Sequence, residues 1–313
     1  MNCNSGDFSK DSRDDAGHSG EVLFYVLFSF FLIFIIIAIT VTIAMLYNRK
    51  TKSKMQMAIL YAFANMTLLG REILFLDVFL SGTGFTNSEY LFFSSFSTYT
   101  FLMTALAYQL FILDLTYVTR QARFIEDSAE AAKLRKHDQC WKYAVGVLII
   151  MCIIIFITDF CIEQNEKTTN QLNRGVIIMS YTIVGLVFFV FSYRLLTEIK
   201  RNLHGPVAIK NARKVRIVLF VFMFAIIYRI IFNVAYITAG SKMCDFNNRN
   251  PRAFTLFLSS SYILCEALPI MSIFGIHGTD LWRQKRTFSG RTNHSSASGE
   301  SSDNKSQLPN TTA

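Results

Sequence analysis

The chain has 313 residues, of which 52% are hydrophobic and 14% aromatic, with four prolines and a formal charge of +9. That is the composition of a polytopic membrane protein and not of a soluble core. The charge does not point to nucleic acid, because no segment between apolar runs is long enough to fold as a basic domain. It fits membrane topology and contact with the anionic lipid of a cytosolic leaflet.

The first 21 residues are polar and acidic (Asp7, Asp11, Asp14, Asp15, Glu21) and hold no cleavable signal, so the first span is expected to act as its own insertion signal. Apolar runs then recur at about 22–47, 56–80, 90–118, 143–162, 175–197, 215–238 and 254–276. Each is about the length that crosses a bilayer as a helix. The expected fold is all-α, with seven transmembrane helices over 22–276, a possible surface helix at 277–288 and a disordered, Ser/Asn-rich tail at 289–313.

Orientation follows from the Lys and Arg counts between spans. Segments 48–54, 119–142, 198–216 and the tail hold four, six, six and five, or 21 in all. The alternate segments 1–21, 81–89, 163–174 and 240–252 hold two, none, two and three, or seven in all. The N-terminus is therefore expected outside or in a lumen and the C-terminus in the cytosol. The basic segments offer a cytosolic contact surface, with Arg120, Gln121 and Arg123 after span three and Lys210, Arg213, Lys214 and Arg216 before span six. Gly205-Pro206 reads as a turn between two basic clusters.

Span one carries no charge and is free to face lipid all round. Span two carries Arg71 and Glu72, which point about 100° apart, so at least one needs a partner on another helix. Span three is rich in hydroxyls, and Thr100, Thr104 and Tyr108 share one face, a pattern more typical of helix–helix contact than of a ligand site. Spans four and five are aliphatic and aromatic, with Trp141, Tyr193 and Arg194 as interfacial anchors. In span six, Arg229, Asn233 and Tyr236 share a face, and Arg229 lies mid-membrane. Cys161 and Cys244 fall on the expected outer side, where a bridge would tie two loops and leave Cys3 over; free thiols are the equal alternative.

Span seven, FTLFLSSSYILCEALPIMSIFGI, holds Glu266 near its middle and Pro269 as the only proline inside an apolar run. An ionisable group at that depth is expensive and calls for a partner. At 1.5 Å per residue, Glu266 is about 18 Å from the outer end of its helix and Arg229 about 14 Å from its own, a difference an arginine side chain covers. Tyr262, Glu266 and Pro269 share one face, and Pro269 frees the Cys265 carbonyl for an arginine. The expected arrangement is a buried network of Glu266 with Arg229 and Arg71, with Glu72 balancing the second arginine. Such a network either fixes helix packing alone, or lines a ligand pocket or switches between two helix arrangements.

Several seven-span chemistries are excluded by what they require. Span seven has no lysine for a retinal Schiff base, and all five histidines lie outside the spans, so no histidine zinc site is expected. GxGD and Pro-Gln elements are missing, as are DRY, CWxP and NPxxY. No enzymatic activity, catalytic residue, metal or cofactor is expected. Two functional classes remain: a receptor-like scaffold whose basic loops dock a protein partner, and a receptor coupling an outer ligand to a G protein. A solute transporter trails both for want of an internal repeat.

The segments STYTFLMTALAYQLFILDLTYVTRQAR and YILCEALPIMSIFGI, with Arg71 and Arg229, resemble the tobamovirus multiplication family of seven-span proteins and the related orphan-receptor-like lysosomal integral membrane proteins. The resemblance spans roughly 22–276. The chain departs from plant members in a longer 240–252 segment and in lacking their Arg/Pro-rich end after span seven. What the resemblance implies is a non-enzymatic scaffold of vacuolar or endolysosomal membranes, engaging small GTPases or serving as a platform for replication complexes.

Overall fold

The computed structural model describes residues 8–48, 54–80, 87–121, 128–162, 168–202, 206–250 and 260–276, with isolated positions 253, 257 and 278. Among the described residues every regular element is helical: α1 (Phe8–Asn48), α2 (Lys54–Leu80), α3 (Asn87–Gln121), α4 (Ser128–Ile162), α5 (Thr168–Asn202), α6 (Pro206–Arg249) and α7 (Ser260–Ile276). The first six contain apolar stretches long enough to cross a membrane, Tyr25–Tyr47, Met55–Leu74, Phe92–Leu113, Lys136–Thr158, Arg174–Glu198 and Arg213–Ala239. Six helices of this length and composition mark an integral membrane protein. The described part of α7 is apolar but shorter, about 26 Å long at 1.5 Å per residue. Most of 254–259, expected to begin that span, lies outside the described residues, as does nearly all of 277–313.

The helices extend well beyond the apolar runs. The basic segment around Gly205-Pro206 is helix on both sides, with α5 reaching Asn202 and α6 starting at Pro206. Proline is suited to a first helical position, where its missing N–H has no partner to lose. The charged segment before span four is likewise continuous with it, since α4 starts at Ser128. At the other end of α6, Ala239 leaves helical geometry (φ −127°, ψ 23°), and the chain resumes as helix to Arg249 in place of the expected loop.

α3 is the hub. It packs on α2, α4 and α5, while α1 leans on α2, α6 on α5, and α7 closes between α6 and α2. Of the α3 apolar stretch 83% is buried, against 11% for α4, so α3 meets protein where α4 meets lipid. Its hydroxyls explain the placement. Ser97, Thr98, Thr100 and Thr104 donate to the carbonyls of Phe93, Ser94, Phe96 and Thr100 at 2.7–3.0 Å, which leaves few polar groups seeking water. The Thr100 hydroxyl also lies 3.2 Å from that of Thr67, joining α3 to α2.

An aromatic stack fixes the other side of α3. Phe222 of α6 lies between Phe101 and Tyr108 of α3, ring centroids 5.8 and 5.7 Å away, and 5.5 Å from Phe188 of α5. Thr100, Thr104 and Tyr108 are all buried, as expected of a packing face. Two glycines allow close approach. A Cβ on Gly70 would stand 2.6 Å from Ser97 Oγ and 2.9 Å from Phe96 Cδ1, so α2 meets α3 most tightly one residue before Arg71. A Cβ on Gly185 would stand 2.9 Å from Ile226 Cγ2, which brings α5 equally close to α6.

Candidate functional site

Three helices bring their charges together inside the bundle. Glu266 is 0% exposed, Arg71 1%, and Arg229 8%, so all three are out of solvent. Arg71 donates to Glu266 through Nε (2.7 Å to Oε2) and Nη2 (2.6 Å to Oε1), a two-pronged match of guanidinium to carboxylate. Its Cζ also lies 4.1 Å from the ring centroid of Tyr262, on the same helix as Glu266. α7 thus supplies Arg71 with both a carboxylate and an aromatic ring.

Arg229 is held far more loosely. Its Nη2 donates to the Thr98 hydroxyl at 3.2 Å and stands 3.6 Å from Glu266 Oε1. Its Nε has no hydrogen-bond partner among the described residues. The rings of Tyr262 and Phe232 each lie 5.9 Å from its Cζ. The two arginines therefore use the same prongs differently: Arg71 has both on a carboxylate, Arg229 one on a neutral hydroxyl.

Glu72 does not balance the second arginine. It is buried, yet neither carboxylate oxygen has a hydrogen-bond partner among the described residues. Its place on the helix explains this: one residue past Arg71 it points about 100° away from α7. Asn233 is also buried but turns back on its own helix, its Nδ2 donating to the Arg229 carbonyl at 2.8 Å. The side chain of Tyr236 lies outside the described residues.

Glu266 sits in a widened turn. Residues Ile263–Ala267 form a π-helical turn closed by the Leu268 N–H donating to the Ile263 carbonyl, just before the buried Pro269. A proline ring cannot tolerate the carbonyl one α-turn earlier, here Cys265, and the wider turn moves it away. The sequence shows the proline and the freed carbonyl; the π turn is the local answer to both. Cys265 is buried as a free thiol.

At one end of the bundle α5 finishes and α4 and α6 begin, and basic side chains gather there. Lys136, Lys200, Arg201, Arg213 and Arg216 are exposed and Lys214 is half-buried. Arg194 lies over Trp141 at 5.6 Å, and Trp141 meets Phe191 edge-on at 5.1 Å, joining α4 to α5. Arg120, Gln121 and Lys210 lie on helices with side chains outside the described set, and Arg123 is wholly outside it. The same holds for the side chains of Cys161 and Cys244, so their bridge lies outside the described residues.

Sequence reasoning alone does not single out Thr98, Gly70 or Tyr181. Thr98 is one of several hydroxyls along α3, and only the pairing of α3 with α6 marks it as the arginine's acceptor. Gly70 carries a signal, a small residue beside a buried charge. Tyr181 is 0% exposed on α5, within electrostatic reach of Arg229 and Glu266, and its hydroxyl has no hydrogen-bond partner among the described residues. No family model matches the chain, and no curated protein or solved structure matches it.

Proposed function

We propose that the protein is a non-enzymatic, receptor-like membrane scaffold whose basic end recruits a cytosolic protein partner. In this reading the chain crosses the membrane seven times, α7 included, with its N-terminus outside or lumenal and its C-terminus cytosolic. The observation that carries it is the concentration of exposed Lys136, Lys200, Arg201, Arg213 and Arg216 at the end where α5 finishes and α4 and α6 begin. That end coincides with the Lys/Arg-rich segments of the positive-inside count. Helical extension of α5 carries Lys200 and Arg201 beyond its apolar stretch, and Lys136, Arg213 and Arg216 stand at the starts of those of α4 and α6, a more rigid platform for an acidic partner than a loop.

The intramembrane cluster then serves to hold α2, α6 and α7 in one arrangement so that the basic ends keep their spacing. The resemblance to the tobamovirus multiplication family supports a vacuolar or endolysosomal membrane and a small GTPase or a replication or trafficking complex as partner. Proximity labelling from the basic end, combined with imaging of the organelle, tests the proposal. Small GTPases on an endolysosomal membrane, lost when Arg213, Lys214 and Arg216 are changed to Gln, are the expected result. A heterotrimeric G protein among the labelled proteins, with labelling insensitive to that change, would replace the scaffold by a ligand-coupled receptor.

A further inference from the structure

The buried cluster has more donors and more positive charge than its own acceptors answer. Two guanidinium groups face one carboxylate, and that carboxylate is already engaged at 2.6 and 2.7 Å by Arg71. Glu72 bonds neither arginine. Two further buried donors, the Arg229 Nε and the Tyr181 hydroxyl, have no acceptor among the described residues. Buried donors of this kind are costly unless something accepts from them.

The packing puts those donors at one level of the bundle. Gly185 and Ile226 bring α5 and α6 into their closest approach. Tyr181 lies one helical turn along α5 from Gly185, and Arg229 about one turn along α6 from Ile226, both towards the same end of the bundle. Phe101 of α3, stacked on Tyr181 at 6.3 Å, lies about one turn from Thr98, the residue that receives the Arg229 Nη2. Tyr181, Arg229 and Thr98 thus lie at about the same level on three helices. The aromatic rings of Tyr262 and Phe232 flank the same guanidinium.

We infer that Arg229 and Tyr181 form a binding site for a small monoanion, a carboxylate carried on an aryl or short alkyl body. A planar carboxylate accepts from the Nε/Nη2 edge of a guanidinium in the way Glu266 accepts from Arg71, and a tyrosine hydroxyl donates to the remaining lone pair. Binding brings one negative charge to two arginines that share one carboxylate. Arg229 is the side chain that adjusts, because one neutral hydrogen bond at 3.2 Å and a 3.6 Å approach to Glu266 hold it, against two hydrogen bonds at 2.6 and 2.7 Å for Arg71. The site does not depend on the docking role of the basic end.

The full chain in lipid nanodiscs tests this, with the thermal unfolding midpoint followed while sodium benzoate, benzamide or sodium chloride is titrated. Benzoate is expected to raise the midpoint saturably, with benzamide and chloride giving no saturable rise. Tyr181→Phe, which keeps the ring and its stacking, is expected to raise the half-saturating benzoate concentration about tenfold or more. Arg229→Lys is expected to weaken the response and Arg229→Gln to remove it. A chloride response equal to that of benzoate overturns the carboxylate site in favour of a halide site. An equal response to benzamide, an unchanged response in Tyr181→Phe, or no response to benzoate at all also overturns it.

Discussion

Changing Glu266 to Gln removes the one carboxylate that both arginines approach while keeping the side-chain shape. Two charge-assisted hydrogen bonds, at 2.7 and 2.6 Å, join groups no more than 1% exposed. Breaking a buried pair by neutralising one partner costs about 3–5 kcal/mol in soluble proteins, chiefly because the other charge stays buried and unpaired. Helices separated in lipid still find other partners for their polar groups, which lowers the net loss, so about 2–4 kcal/mol is expected here. Arg71→Gln is expected to cost about the same. Arg229→Gln loses one neutral bond at 3.2 Å and a 3.6 Å approach, worth about 1 kcal/mol. The assay is equilibrium unfolding of the purified chain in mixed micelles, run as two double-mutant cycles. Coupling between Arg71 and Glu266 is expected to exceed that between Arg229 and Glu266 by about 1 kcal/mol or more. Equal couplings, or an Arg71–Glu266 coupling under about 0.5 kcal/mol, would refute the assignment of Arg71 as the principal partner.

Four further measurements address packing and topology. Gly70→Ala drives a methyl to 2.6 Å from Ser97 Oγ and 2.9 Å from Phe96, and is expected to destabilise by about 1–3 kcal/mol in the same unfolding assay. Gly146→Ala meets nothing within 4 Å and is expected to be neutral or to stabilise by up to about 1 kcal/mol. Thr67→Val removes the 3.2 Å link to Thr100, with an expected loss of about 0.6 kcal/mol, the usual size of a polar contact between membrane helices. Cys140 is exposed on the basic end, so in a chain where it is the sole cysteine an impermeant maleimide is expected to label it in sealed organelles without opening them, and in whole cells only after permeabilisation. Labelling in intact cells, or protection in sealed organelles, would reverse the proposed orientation.

Much of the helical architecture is legible as hydropathy, because a bilayer demands long apolar helices and little else does. Where the helices end is not legible in that way. Polar extensions such as 198–202 and 206–214 carry no apolar signal, yet they continue helices already nucleated by the stretches beside them. The buried charges are legible through cost: Arg71, Arg229 and Glu266 stand out because lipid cannot solvate them, and the structure has them together. Which arginine binds closely is not legible. Depth along a helix is read from residue counts, but azimuth is set by packing, here by Gly70 letting α2 approach α3 and by the π turn rotating Glu266. For the same reason Glu72, one residue from the right place, bonds neither arginine, and Asn233 shares a face with Arg229 but serves its own helix.

The separation of 195 positions between Arg71 and Glu266 bears on how the chain is made. α2 leaves the ribosome carrying a guanidinium that costs about 2.5–3.5 kcal/mol at a membrane centre, and the carboxylate that accepts from it is on α7. Until α7 is synthesised, the nascent α2 must shelter against α1, α3 or the insertion machinery, and a chain cut short before Ser260 keeps an unneutralised arginine in its core. Completion of the last described helix thus becomes the signal that assembly has succeeded. Truncated or Glu266-deficient chains would be the ones a membrane quality-control system recognises and removes.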